Sequence, residues 1–298
     1  MFKKLSKYIV LFSIVISSFF IANVSTHATD INKPFAVLLL GIDTGDLGRT
    51  EKGRSDVMLI ATVNPEEENV VITSIPRDTY VDIPGRGMDK INHAYAFGGP
   101  ELSIQTVENW LDIEIPYYMT VDMKGLSDVV DSVGGVDVVP PNTFEIGGFT
   151  FTEGQEVHLD GEKALAYVRE RYTSGGDYAR QKRQRQVIVG IAQSALNQSK
   201  GVKEVIDMAT AINKYVGMNL NMFDLGKLVI SHVDMRPTIA FNQFVGEGMK
   251  IDGIYYEQIT DASFKENQQI IHDELEGKVT SDLNSEDTIQ LETKNGSR

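Results

Sequence analysis

Cysteine is absent from all 298 residues of the chain. That absence excludes disulfides, thiolate zinc sites and cysteine nucleophiles, and it suits a protein working outside a reducing cytosol without bridges. Positive charge is also scarce: 28 Lys and Arg stand against 42 Asp and Glu, a formal net charge of -14. A nucleic-acid partner usually imposes a basic footprint on the domain that binds it, so a chain with a sequence pI near 4.8 is read as having no nucleic-acid partner. No His pair at metal-ligand spacing, no Walker loop and no nucleophile elbow occurs. There is no internal repeat and no large low-complexity segment. What is present is 42% hydrophobic and 23% charged residues, enough apolar side chain for a full globular core.

Near the N-terminus, Lys3, Lys4 and Lys7 precede an apolar run from Tyr8 to Val24, broken only by Ser13, Ser17, Ser18 and Asn23. As a helix the run would span about 25 Å, a little short of the roughly 30 Å hydrocarbon core. Two readings stay open. Residues 8–24 are an uncleaved membrane anchor with residues 1–7 cytoplasmic, or a signal segment cleaved near Ala28 after "THA", leaving a secreted chain. Both place the rest of the chain outside the membrane, with 25–33 as a linker.

Beyond the linker, "PFAVLLLGID" is a continuous apolar run, the pattern of a fully buried strand. Two β-branched runs follow, Val57 to Val63 and Val70 to Ile75, separated by a Pro and an acidic turn; they predict a hairpin. Antiparallel pairing then brings Arg54 and Asp56 at the start of the first run near Arg77 and Asp78 at the end of the second. The loop from Thr44 to Ser55 can add Asp43 to the same edge. "PELSIQTVENWL" and "MKGLSDVVDSVGG" read as helices flanking a strand near Tyr117 to Val121, and a further strand restarts at Val136. Alternating strands and helices indicate an α/β layered architecture. "LDGEKALAYVRER" is amphipathic, with Leu159, Ala164, Leu165 and Val168 as candidate core positions. Asp177 is placed to cap a long helix from about Tyr178 to Gln198. From Lys250 to Arg298 the chain holds eleven Asp or Glu against five Lys or Arg; residues 249–298 are read as an acidic extension without chemistry, loosely ordered after Gly277.

The stretch "VRERYTSGGDYARQKRQRQ", residues 168–186, concentrates Arg169, Arg171, Arg180, Lys182, Arg183 and Arg185. A solvated helix face would account for it. Arginine at five of six basic positions keeps a second reading open, bidentate phosphate or carboxylate contacts, because the planar guanidinium fork matches both. On the helix, Arg180, Arg183 and Gln184 share a face at i, i+3 and i+4, while Arg185 points elsewhere and is expected to be a surface residue. Asp78 has two readings, orienting Arg77 through an ion pair or accepting a proton. Lys90 and Asn92 either border the site or order a loop. His93 is read as incidental, and Trp110 as core unless it lines a pocket.

"LLLGID", "GRSDVMLIATVNP", "VVITSIPRDTYVDIPG", "DKINHAYAFGGPELSIQTVENWL", "LSDVVDSVGGVDVV", "LDGEKALAYVRERY" and "GDYARQKRQRQVI", in this order, resemble the LytR-CpsA-Psr family of bacterial envelope proteins. The motifs run from Pro34 to Ala195, within a domain taken as residues 34–248. The resemblance implies a single layered α-β-α domain, its mixed central sheet surrounded by helices around an apolar lipid-binding pocket. It implies a phosphotransferase that moves a glycopolymer, such as wall teichoic acid or capsular polysaccharide, from a polyprenyl-pyrophosphate carrier to peptidoglycan through a phosphodiester. It implies Mg²⁺ held on the side of Asp43 and Asp56, and a pyrophosphate faced by Arg54, Arg77, Arg169, Arg171, Arg180 and Gln184, with Arg183 a weaker addition. Arg77, Asp78, Arg169 and Arg171 are the candidate catalytic residues. Two alternatives are a polyprenyl-pyrophosphate hydrolase and a non-catalytic regulatory or lipid-binding envelope protein; retention of Asp43, Asp56, Arg77, Arg169 and Arg171 favours an enzyme.

Overall fold

The structure is a computed structural model that describes residues 30–43, 53–170, 175–198, 203, 210, 212–220, 237–278 and 288–290. The apolar run 8–24 and Arg171 lie outside them. Among the described residues no helix is long and apolar enough to cross a membrane.

The expected hairpin is present as β2 (Ser55–Asn64) and β3 (Asn69–Ser74), antiparallel with Val63 opposite Val70. The apolar run before it is β1 (Phe35–Ile42), antiparallel to β2. Next in the chain come the short hairpin of β4 (Tyr80–Ile83) and β5 (Gly87–Lys90), helix α1 (His93–Leu111), strand β6 (Tyr117–Asp122) and helix α2 (Met123–Ser132). Short strands β7 (Val136–Val138), β8 (Phe144–Ile146), β9 (Phe149–Phe151) and β10 (Val157–Leu159) lead to α3 (Gly161–Arg169) and α4 (Gly176–Gln198). The C-terminal part supplies β11 (Val216–Met218), β12 (Thr238–Gln243), the hairpin of β13 (Gly246–Ile251) and β14 (Ile254–Ile259), helix α5 (Asp261–Leu275) and β15 (Thr288–Gln290).

Seven strands form one mixed sheet in the order β11-β6-β1-β2-β3-β12-β15. β6 is parallel to β1 and β12 is parallel to β3, while β2 is antiparallel to both β1 and β3. β1, β3, β6 and β12 therefore all end along one edge, where β2 begins. Alternation along β1 sends Val37 and Leu39 into the core beneath α2, α3 and α4, and Ala36, Leu38 and Leu40 into the core beneath α1 and α5. A sheet covered on both faces has central strands that read as continuous apolar runs, as β1 does.

The helices begin where the local chemistry allows. Asp122 accepts a hydrogen bond from Gly125 N at 2.7 Å to cap α2, and Asp160 accepts one from Lys163 N at 2.9 Å to cap α3. Helix α1 starts at His93, earlier than Pro100, where the sequence predicts its start; Gly99 at φ 73° allows the chain to kink into Pro100 and continue. Asp177 lies in the first turn of α4, and its carboxylate pairs with Arg180 Nη2 at 2.6 Å. The expected boundary after residue 248 falls inside β13. Charge counting had hidden the apolar stripe of α5, whose Phe264, Ile271 and Leu275 pack on the α1 face of the sheet. Thr288–Gln290 pairs with β12 as an edge strand, and the other residues beyond Lys278 lie outside the described ones. Trp110 is a core residue, its ring 4.8 Å from that of Phe244 and 5.4 Å from that of Phe264.

Arg183 departs from its expected place. Its side chain is fully buried, with Nε donating to Tyr167 O at 3.1 Å and Nη2 lying 3.2 Å from Glu170 Oε2 and also donating to Glu170 O. It thus answers carbonyls at the C-terminal end of α3, which have no partner within that helix, while its guanidinium lies 4.8 Å from the Phe144 ring. This is a clamp between α3 and α4, not a group facing a ligand. Arg183→Ala would take the guanidinium away from the buried Glu170 carboxylate and the end of α3 and is expected to cost about 3–5 kcal/mol of folding stability in a urea titration; a loss below about 1 kcal/mol would contradict the clamp.

Candidate active site at the carboxyl edge of the sheet

The chain leaves β3 through Pro76 into Arg77 and Asp78, directly beside the start of β2, so the antiparallel pairing delivers the predicted contact. Arg77 Nη1 meets Asp56 Oδ2 at 2.8 Å, and Arg77 Nε lies 3.6 Å from Asp78 Oδ2. Lys90 Nζ, at the end of β5, reaches Asp78 Oδ1 at 2.7 Å, and Asn92 Nδ2 donates to Asp56 Oδ1 at 3.2 Å. Carboxylate, guanidinium, carboxylate and ammonium thus alternate in a row, each less than a quarter exposed. Lys90 and Asn92, left open by the sequence, belong to this network. Asp43 sits at the end of β1 with its backbone N–H donating to Arg54 O at 2.9 Å, placing both beside the start of β2. Arg54 itself is exposed.

Helix α4 forms the other side. Arg180 is nearly buried and Gln184 lies one turn further along the same face, its Oε1 buried without a hydrogen-bond partner. Ser55 Oγ and Asn92 Oδ1 at the same edge are also buried and unpartnered. Orphaned buried polar atoms cost about 1–3 kcal/mol each, and their grouping along one edge marks a place built for a polar ligand. Arg169, the last residue of α3, is exposed.

Gln184 also lines an apolar cavity between the sheet and helices α2 and α4, with about 1050 Å³ of empty space counting the part open to solvent. Leu39, Leu59, Met119, Leu126, Val187 and Ile191 are among its walls, and Gly41 and Asp122 lie where it meets the charged edge. A Cβ at Gly41 would approach the Val57 side chain to 2.8 Å, so glycine keeps the strands tight at that point.

Arg185 is a correction. It is buried, and its Nη1 donates to Ser74 Oγ at 3.1 Å, Gln243 Oε1 at 3.3 Å and Asn242 O at 3.5 Å. Helix α4 has neighbours around most of its circumference, and one residue on from Gln184 the helix faces the ends of β3 and β12. His93, the first residue of α1, pairs with Asp89 of β5 at 2.8 Å.

The β13–β14 hairpin was missed altogether. Glu257 N donates to Asp78 O at 2.8 Å, and the Glu257 carboxylate accepts hydrogen bonds from Tyr178 Oη at 2.7 Å and from Tyr255 Oη. Burial, reinforced by that carboxylate, pushes the Tyr178 phenol up to about 12. No motif in the sequence marks these residues.

The LytR_cpsA_psr family description matches residues 17–273. A relative from Enterococcus faecalis named polyisoprenyl-teichoic acid–peptidoglycan teichoic acid transferase TagU is 44% identical over 248 residues, 83% of this chain and 81% of that protein. Its namesake from Bacillus subtilis is 40% identical over 83% of this chain and 80% of that one. The crystal structure of B. subtilis TagU superposes with a TM-score of 0.63 at 36% identity, covering 83% of this chain and 99% of that one. A structure described as TagT bound to LI-WTA gives 0.66 at 30% identity, covering 82% and 91%. The family match over residues 17–273, the identity to these relatives and the superposition of the fold agree, and the chain belongs to the LytR-CpsA-Psr family.

Proposed function

We propose that this chain is an extracytoplasmic phosphotransferase that takes a glycopolymer such as wall teichoic acid from a polyprenyl-pyrophosphate carrier and joins it to peptidoglycan through a phosphodiester. The observation that carries the reading is an apolar cavity walled by Gly41, Val57 and Gln184 at the sheet edge where Asp56, Arg77, Asp78 and Lys90 form a charged row. A polyprenyl pyrophosphate has that same division, a long apolar tail and a doubly phosphorylated head. The transferase names of the relatives support the same reading.

Phosphoryl transfer asks the protein for alignment and charge neutralisation more than for covalent help. Arg77, Arg180 and Arg169 supply fixed positive charge for the phosphate oxygens, with Arg54 and Arg171 as further contributors from the sequence reading. The acceptor hydroxyl oxygen forms a bond to the phosphorus bearing the glycan. The bond from that phosphorus to the lipid-side phosphate oxygen breaks, and polyprenyl phosphate leaves. The hydroxyl proton goes to a carboxylate; Asp78, which holds Arg77 and Lys90 through part of its lone-pair capacity, has lone pairs left to take it. Among the described residues no group of three or more His, Asp or Glu could hold a metal alone. A pair of carboxylates completed by substrate oxygens is nonetheless a magnesium donor set, and Asp43 and Asp56 would provide it. Bound magnesium would supply additional neutralisation of the pyrophosphate.

The decisive experiment incubates the exported domain with lipid-linked glycan, Mg²⁺ and peptidoglycan oligomers and identifies products by mass spectrometry. Phosphodiester-linked glycan is expected; glycan phosphate released to water alone would make the protein a hydrolase. Arg77→Ala and Arg169→Ala are each expected to lower the transfer rate by about 2 kcal/mol or more, and excess chelator to abolish transfer. Full rates in both variants would remove the arginines from the site, and full activity in chelator would remove the metal.

The lipid carrier also fits membrane placement by the run from Tyr8 to Val24. Protease added to intact protoplasts should digest the domain, and complete protection would overturn its external location.

A further inference from the structure

The β13–β14 hairpin carries a feature that the phosphoryl-transfer machinery leaves unused. Tyr255 is 43% exposed, although its hydroxyl is held by the nearly buried Glu257. Gly248 lies diagonally across the strand pair, since Lys250 is opposite Tyr255 and Gly248 is opposite Glu257. A Cβ at Gly248 would stand 2.7 Å from Tyr255 Cε2 and 2.9 Å from its Oη. The missing side chain lets the ring settle against β13, one side supported by backbone and the rest turned to solvent. The hydrogen bond to Glu257 leads the causes that raise the phenol's pKa well above its ordinary value, so the hydroxyl stays a protonated tether.

The strand that carries this ring runs beside Asp78. Glu257 N–H donates to Asp78 O, and Thr79 bridges to Glu257 in parallel pairing. The cavity, by contrast, lies under α2 and α4 on the opposite face of the sheet, and none of its walls comes from residues 77–90 or 246–259. In-line displacement puts the nucleophile opposite the leaving group. A lipid phosphate departing on the cavity side therefore calls for an acceptor arriving from the hairpin side.

We propose that Tyr255, seated on Gly248 and tethered by Glu257, is a stacking platform for a saccharide ring of the acceptor glycan, holding its hydroxyl toward Asp78. Sugar rings present an apolar C–H face that suits an exposed, immobilised aromatic ring, and a ring with its hydroxyl already tied loses little freedom on binding. The donor's own glycan is the less suitable occupant, because only the acceptor brings a hydroxyl whose proton must reach a carboxylate. This assignment rests on the transferase reading for its direction but not for its test.

The experiment measures binding of a peptide-free peptidoglycan oligosaccharide to the full chain by calorimetry, separately from transfer. Tyr255→Ala is expected to weaken that binding roughly three- to tenfold, and Gly248→Ala, which displaces the ring, to act in the same direction. Tyr255→Phe, which keeps the ring but loses the tether to Glu257, should bind between the parent and Tyr255→Ala. Binding of polyprenyl pyrophosphate should be unchanged in all three, and thermal melting reports whether each variant is folded. The platform is overturned if the parent does not bind the oligosaccharide, or if folded Tyr255→Ala and Gly248→Ala bind it like the parent. It is also overturned if the loss appears in donor affinity, or instead in binding to anionic lipid vesicles, which would assign Ile251, Ile254 and Tyr255 to a bilayer contact. Tyr255-dependent saccharide binding without transfer by the parent would uphold the platform and refute the transferase.

Discussion

A guanidinium withdrawn from water must be answered by carboxylates or carbonyls, and this requirement organises the charged half of the molecule. Arg77 is met by Asp56 and Asp78, Arg180 by Asp177, Arg183 by Glu170 and the end of α3, and Arg185 by the ends of β3 and β12. Arg180–Asp177 stays within α4, while Arg77–Asp56, Arg183–Glu170 and the Arg185 contacts each tie one segment to another. Arg183 and Arg185 spend themselves on architecture, locking α4 between α3 and the sheet. Arg77 and Arg180 are held by acidic partners near the cavity mouth, where a phosphate can compete for the same donors. The basic run of α4 therefore divides by burial and partner, although all its members look alike in composition.

The direction of the strands does the rest. Because β1, β3, β6 and β12 end along the same edge, four separate segments bring their polar ends together above a core that is apolar on both faces of the sheet. Ligand sites in open α/β sheets form at such carboxyl ends, where strands stop pairing and side chains turn outward. The cavity opens from this edge into one core, while the β4–β5 and β13–β14 hairpins rise from the other. That division keeps the cavity and the two hairpins on opposite faces of the sheet.

Much of this was legible in the residues. The β-branched runs around the acidic turn implied the β2–β3 hairpin, and antiparallel geometry alone placed Asp56 beside Arg77. The amphipathic patterns implied α2 and α3, and continuous apolar character implied that β1 is buried on both sides. Helical spacing was less informative: it showed that Arg185 does not share a face with Arg180 and Gln184, but the expectation of solvent there failed because α4 is enclosed on several sides. Arg183 shares its helix face with Arg180 and Gln184, yet its guanidinium turns to Glu170 and the end of α3.

Local periodicity and pairing are short-range consequences of backbone geometry, so the sequence by itself determined the alternation of strands and helices, the central hairpin and its charge pair. Tertiary structure alone decided which side of α4 meets protein and which meets the cavity, since helical period reports relative angle and carries no origin. It alone brought Glu257 against Asp78, a contact between distant segments that leaves no periodic or compositional trace. Charge counted along the chain marks 249–298 as an acidic extension, but it does not report that α5 within it carries an apolar stripe that covers a face of the sheet.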